Sequence, residues 1–222
     1  MNADPRQLAL DLPHRPALGR DDFLVAPCNE EAVGWIDLWP DWPGPALVLC
    51  GPPASGKSHL AAVWRARAGA AVLDSAALPD AAAIEAAPHV LLEGADRIAD
   101  EEALLHLYNR IAERGGSLLL TADAPPSRWP TRLADLASRL RAAPVAGIGR
   151  PDDALLGALL VKMFADRQLA PSPDVVAFLL PRMERSFAAA RALVERLDEA
   201  ALAQRRTITV PLARAVLQEE GP

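Results

Sequence analysis

Cysteine and lysine are both scarce in this sequence of 222 residues. Its two cysteines, Cys28 and Cys50, lie far apart and fit neither a disulfide framework nor a metal motif. A reducing cytoplasm is therefore the expected setting. No apolar run approaches a membrane-spanning length, and the N-terminus lacks the basic start and apolar core of a secretion signal. No membrane contact is expected. Lysine and arginine form no dense block, and the formal net charge is -6. That weighs against nucleic acid as the main partner, because a duplex-binding surface normally shows a basic stripe. There is no internal repeat, and no low-complexity tract beyond a general richness in alanine. What remains is 51% hydrophobic, enough for a sizeable core and a small second one.

Lys57 and Lys162 are the only two lysines among 23 basic residues. The first of them sits in Gly51-Pro52-Pro53-Ala54-Ser55-Gly56-Lys57-Ser58, a complete G-x-x-x-x-G-K-S phosphate loop. The apolar run Ala46 to Cys50 precedes it and the periodic segment His59 to Ala68 follows, so strand, loop and helix stand in the required order. Backbone N–H groups of such a loop converge on phosphate oxygens, and the positive end of the next helix faces the same point. Candidate nucleotide contacts are Gly51, Pro52, Ala54, Ser55, Gly56, Lys57, Ser58 and His59. Lys57 would reach the β and γ phosphates, and Ser58 would hold Mg²⁺.

Residues 1–22 read as a mobile leader broken by Pro5, Pro13, Pro16 and Gly19. Within it, Gln7-Leu8-Ala9-Leu10-Asp11-Leu12 spaces leucines at alternate positions. They either enter a partner's pockets as an extended peptide or fold back onto their own domain. From Phe23 to Trp42 an apolar-decorated run acquires helical spacing, with Asn29 as a plausible cap. Pro40, Pro43 and Pro45 close it. Trp35, Trp39 and Trp42 read as packing residues rather than a base-stacking platform, and the stretch Phe23 to Pro27 is available to line an adenine pocket.

Strands follow at Ala70 to Leu73, His89 to Glu93, Ser117 to Thr121 and Pro144 to Ile148. Helices alternate with them at Pro79 to Ala87, Glu101 to Arg114 and Leu133 to Leu140. Short buried strands alternating with helices mean a five-stranded parallel sheet covered on both faces, with the ligand beyond the carboxyl ends of the strands. After residue 148 the pattern turns helical, at Asp152 to Arg167, Ser172 to Pro181, Arg185 to Gln204 and Val210 to Gln218. One short extended piece, Thr207 to Thr209, interrupts it. The expected domains are the leader, an α/β nucleotide-binding domain at 23–148 and a small all-helical lid at 149–222.

A metal-assisted phosphate site needs an acidic group at a strand end beside the loop. Glu93 ends the strand Val90-Leu91-Leu92 and can help hold Mg²⁺, or it is an ordinary loop carboxylate. Gly94 follows, and Asp96 need not face the same site. Thr121, at the tip of the adjacent strand, can bond a water or the γ-phosphate, or simply end its strand. Arg139 on its own reads as a surface or salt-bridged residue.

Taken together, these segments resemble the AAA+ domain of the bacterial replication initiator DnaA, and most nearly the DnaA-related regulators of the Hda type. The leader is similar to the Q-L-x-L-x-L peptide with which that family holds the DNA polymerase III sliding clamp. The phosphate loop matches, and Leu107 to Ile111 and Thr121 to Pro126 look like family segments. The resemblance implies an AAA+ P-loop NTPase fold with ADP or ATP and Mg²⁺ as ligands. It places Thr121 at the first sensor position, the arginine finger at Arg139 within Asp135 to Leu140, and Arg185 at the second sensor position. It implies a negative regulator that, with the DNA-loaded clamp, stimulates hydrolysis of DnaA-bound ATP; Gln7, Leu8, Leu10 and Leu12 would bind the clamp, and DNA would be reached only through it. A homodimer stays open. Two departures stand out: Glu93 replaces the usual aspartate, and Gly94 replaces the acidic residue that follows it in the initiator. Weak intrinsic hydrolysis, with ADP retained, is the expectation. The rival readings are an autonomous or helicase-loader-like AAA+ ATPase, and a DnaA-family adaptor or scaffold.

Overall fold

Strand β1, Ala46–Cys50, is buried along its whole length. Its alternating side chains go to opposite faces of the sheet. Ala46, Val48 and Cys50 join one apolar cluster, while Leu47 and Leu49 join another. This computed structural model describes residues 23–74, 87–204 and 206–218. The leader with Gln7, Leu8, Leu10 and Leu12, and all but the last residue of the helix expected at Pro79 to Ala87, lie outside those residues.

The other strands are β2 (Ala71–Asp74), β3 (His89–Glu93), β4 (Ser117–Ala122) and β5 (Val145–Gly147). They form a five-stranded sheet in the order β2-β3-β4-β1-β5, with every neighbouring pair parallel. The chain leaves β1 for the far edge, returns through β3 and β4, and crosses β1 to reach β5. That crossing sets the loop after β1 between the ends of β4 and β5, the place where parallel sheets hold ligands.

Helices α1 (Glu30–Leu38) and α2 (Lys57–Ala68) cover one face, and α3 (Glu101–Glu113) and α4 (Ala134–Ala142) the other. Trp64 of α2 is fully buried. Trp42 stacks on it at 5.6 Å between ring centroids and Trp39 meets it edge-on at 6.2 Å. The tryptophans are packing residues, and they fix the helix that carries the phosphate loop.

Asn29 does not cap α1 through its side chain. Its Oδ1 accepts from the Ala26 N–H at 2.8 Å and its Nδ2 donates to the Leu24 carbonyl at 2.9 Å. The buried amide ties the incoming segment into a turn, a competing use to which short polar side chains are suited.

The lid comprises α5 (Asp153–Asp166), α6 (Pro173–Leu179), α7 (Phe187–Gln204) and α8 (Val210–Gln218). It has its own core, with Leu160, Phe164, Leu179, Val194 and Leu197 at its centre. Leu155 and Phe187 belong instead to the α1–α2 side of the sheet core, so the lid is seated on the α/β domain by apolar contact. Residues 207–209 form no strand. Their alternation sends Ile208 alone into the lid core, as a plug in the connection from α7 to α8.

Candidate functional site

The loop that leaves β1 turns back on itself before α2, and its backbone is strained in doing so. Gly56 has φ 95° and Ala54 has φ 61°, a left-handed conformation that a residue with a Cβ rarely adopts. A Cβ on Gly56 would come within 2.7 Å of the Phe23 ring. Helix α2 starts at Lys57 with no acidic residue in its first turn, so its free N–H groups and positive end remain available to an anion.

Lys57 Nζ donates to the Gly51 carbonyl at 2.7 Å, the Pro52 carbonyl at 3.0 Å and Asp123 Oδ1 at 3.0 Å. Asp123, just past β4, also faces Arg97 at 3.6 Å. Its own N–H donates to Asp96 Oδ2 at 2.9 Å. Asp96 therefore does face the site. Its other oxygen, Oδ1, is buried without a hydrogen-bond partner, as is Ser55 Oγ in the loop. Burial pushes the Cys50 thiol up, the nearby Lys57 opposes this, and Asp96 and Glu31 reinforce it. That cysteine is a packing residue rather than a nucleophile.

Thr121 is buried and its Oγ1 accepts from the Gly94 N–H at 3.2 Å. The hydroxyl thus locks the turn after β3, where Gly94 takes φ 66°. Glu93 ends β3, half-buried, and Ser58 is exposed at the start of α2. Hydroxyl and carboxylate oxygens are the donors that Mg²⁺ prefers. Among the described residues no group of three His, Cys, Asp or Glu could hold a metal ion. Phosphate oxygens and water would have to complete the shell around Ser58 and Glu93. The orphaned Ser55 hydroxyl and the uncountered start of α2 fit a phosphate group.

Beside the loop, a cavity of about 400 Å³ opens between the two domains. Ala54, Ser55, Gly56 and His59 line its floor, with Phe23 and Leu24 on one side. Phe23 meets His59 edge-on at 5.3 Å. The lid contributes Phe187, Met163 and three cations: Lys162, Arg167 and Arg191. Each cation is held by a lid acid. Lys162 pairs with Asp166 at 2.8 Å, Arg191 with Glu195 at 2.9 Å, and Arg167 with Glu195 at 3.4 Å.

Arg185 does not line this cavity. It makes a two-pronged bond to Asp153, Nε at 2.7 Å and Nη2 at 3.0 Å, which holds the Asp153 carboxyl below its ordinary range. The lid cations escaped the reading of the sequence, although two signals were present. Lys162 is the second of two lysines, and Arg191 lies one helical turn after Phe187, on the same face.

Arg139 lies on the other side of the sheet. Its guanidinium sits 5.6 Å from the centroid of the Tyr108 ring, and its Nε forms a loose 3.4 Å ion pair with Asp135. Burial raises the Tyr108 hydroxyl and the charge on Arg139 pulls it back.

Residues 153–217 match the family model described as the lid domain of Hda. The fold is similar to domain III of the Thermotoga maritima replication initiation protein DnaA. The two share 16% identity over 94% of this chain and 98% of that one, with a TM-score of 0.78. AMPPCP-bound DnaA from Aquifex aeolicus is similar at a TM-score of 0.67, with 14% identity over 83% of this chain and 66% of that one. The Thermotoga maritima RuvB Holliday junction branch migration motor is similar at 0.60, with 13% identity over 78% and 61% of the two chains. The fold is of the AAA+ type. No helix of the described residues is long and apolar enough to cross a membrane.

Proposed function

We propose that this chain, a DnaA-related AAA+ protein with a lid domain of the Hda family, is a negative regulator of replication initiation. In this reading it acts with the DNA polymerase III sliding clamp to stimulate hydrolysis of ATP bound to DnaA. The observation that carries it is the Hda lid at residues 153–217, set behind an intact phosphate loop at Gly51 to Ser58. The leader peptide with Gln7, Leu8, Leu10 and Leu12 is assigned to the clamp. DNA is then met only through the clamp, and the regulator works as a monomer or a homodimer.

Adenine nucleotide, ADP in the resting protein, is held by the loop and the start of α2, with Lys57 on the phosphates and Mg²⁺ on Ser58 and Glu93. Intrinsic turnover is weak. At Gly94 no carboxylate follows Glu93, and the left-handed turn there is bonded to Thr121. Neither feature supplies a base for water. Arg139 is the finger offered to DnaA. Its side chain is 38% exposed, resting on the Tyr108 ring and in a loose ion pair with Asp135, so a stronger anion can draw it away from Asp135. A guanidinium placed on the partner's γ-phosphate neutralises the charge that develops there.

The test is single-turnover hydrolysis of ATP preloaded on DnaA, with clamp loaded on DNA, comparing the intact chain with Leu10→Ala/Leu12→Ala. Burial of each leucine is worth roughly 1.5–3 kcal/mol, so the double variant should lose clamp binding and stimulation together. Full stimulation by that variant would sink the clamp assignment. No stimulation by the intact chain would sink the regulator reading itself.

A further inference from the structure

On the lid, between α6 and α8, lies a shallow pocket of about 370 Å³ lined by Phe178, Arg182, Arg214, Leu217 and Gln218. None of these residues lines the phosphate-loop cavity. The Arg182 guanidinium lies 4.1 Å from the centroid of the Phe178 ring, and the Arg214 guanidinium 5.6 Å from the same centroid. Arg182 Nη1 donates to the Phe178 carbonyl at 2.9 Å, which fixes its plane. Among the described residues no carboxylate pairs with either arginine.

Three other arginines of this lid do have such a partner. Arg167, Arg185 and Arg191 each pair with an aspartate or glutamate, and acidic residues outnumber basic ones in the chain by 29 to 23. An arginine resting on an aromatic ring keeps its in-plane N–H donors for a second partner. Two guanidinium groups on one ring also repel each other, and an anion between them relieves that repulsion. The rest of the lining is apolar at Leu217 and amide at Gln218. A ligand complementary to it carries a carboxylate for the arginines, an apolar side chain for Leu217 and a peptide group for Gln218.

We propose that this pocket docks an acidic peptide segment of a partner protein, one with a carboxylate beside a leucine or phenylalanine. A nucleic acid fits less well. Phosphate-backbone binding draws on a row of cations, whereas this pocket holds two and the chain carries a net charge of -6.

The experiment titrates the full chain with the blocked peptide acetyl-Asp-Glu-Leu-Phe-amide and with its neutral counterpart acetyl-Asn-Gln-Leu-Phe-amide. Binding is followed through the backbone amides of Arg182, Arg214 and Leu217 by NMR. The acidic peptide should shift those amides and the neutral one should bind about ten-fold more weakly, the loss expected for about 1.4 kcal/mol of charge-assisted hydrogen bonding. Arg182→Gln/Arg214→Gln should show a similar loss while nucleotide affinity is unchanged. Equal binding of the two peptides by the intact chain would overturn the proposal, and so would undiminished binding by the double variant. An oligonucleotide that displaced the acidic peptide would transfer the pocket to nucleic acid. Binding seen only after Glu219→Gln/Glu220→Gln would assign it to the chain's own C-terminal carboxylates. Either result overturns docking of a partner. The neutral peptide tests the intact protein, so poor folding of the arginine variant leaves the proposal testable.

Discussion

Lys57 and Asp123 form a 3.0 Å ion pair beside the phosphate loop. The lysine is nearly buried and the aspartate half-exposed, at 12% and 46% of their side-chain surfaces. An incoming phosphate must therefore compete with Asp123 for the ammonium. Lys57→Ala should weaken nucleotide binding by roughly ten- to hundred-fold, since a charged hydrogen bond is worth about 1.5–3 kcal/mol. Part of that loss arises because Asp123, no longer neutralised by Lys57, repels the phosphates. The double variant Lys57→Ala/Asp123→Asn should recover some of the affinity. Equilibrium titration with a fluorescent ADP analogue checks this, and a double variant no better than Lys57→Ala would show that Asp123 exerts no such repulsion.

The lid arginines give a second prediction. Arg191 lines the cavity beside the loop, while Arg185 is committed to Asp153 outside it. Arg191→Ala should reduce nucleotide affinity by about ten-fold, the scale of one charge-assisted contact. Arg185→Ala should change it little. Its effect should instead be on the seating of α5 against the turn before α7, seen as a small fall in melting temperature. The opposite ranking in the same titration would restore Arg185 to the role that the family resemblance implies.

These two arginines show where the sequence is legible and where it is not. Strand β1, the loop and α2 could be read directly, because hydrophobic alternation, glycine spacing and helical period all act over a few neighbouring residues. The parallel five-stranded sheet followed from the βα alternation for the same reason, whereas its strand order, with β1 between β4 and β5, is set by long-range pairing that no local pattern shows. Which side chains meet across the domain boundary depends on how Leu155 and Phe187 seat the lid, and no local pattern encodes that. Asn29 failed as a cap because Leu24 and Ala26 claim its amide. Asp96 was passed over because the turn between Gly94 and Arg97, set by one left-handed glycine, brings it back to Asp123.

Acid should loosen the helix that carries Arg139. Glu101, at the start of α3, accepts from the Arg132 N–H at 3.0 Å and from the Leu133 N–H at 2.6 Å, immediately before α4. Those two bonds hold its carboxyl below the ordinary value of 4.5. A carboxylate with a lowered folded pKa contributes stability above its unfolded pKa, and that contribution is lost as pH falls through the folded value. Glu101→Gln should thus melt earlier than the parent at neutral pH, with the gap closing below about pH 4. Melting curves across that range test it. A gap that stays constant with pH would mean that the charge on Glu101 contributes nothing.

Replacement of Arg139 separates a regulator from a plain ATPase. Among the described residues this arginine rests on the Tyr108 ring and forms the loose pair with Asp135. An exposed cation–π contact is worth about 0.5–1 kcal/mol and a surface ion pair about 0–1 kcal/mol. A loss of about 1 kcal/mol lowers the melting temperature of a chain this size by about 2–4 °C. Arg139→Ala should therefore stay folded and keep its nucleotide and clamp affinities. Stimulation of DnaA-bound ATP hydrolysis should fall by about 10–100-fold. That is less than the 10³–10⁵ known for trans-acting arginines in GTPases, because the initiator retains hydrolytic machinery of its own. Arg139→Lys keeps the charge but loses the planar fork that matches a phosphate, so it should rescue the melting temperature more than the stimulation. If instead Arg139 mainly holds α4 against Tyr108, the alanine variant will melt early and all its activities will fall together. Single-turnover assays beside melting curves distinguish the two outcomes. Full stimulation by a well-folded Arg139→Ala would remove the finger from this position, and Arg141, in the same last turn of α4, would be the next residue to replace.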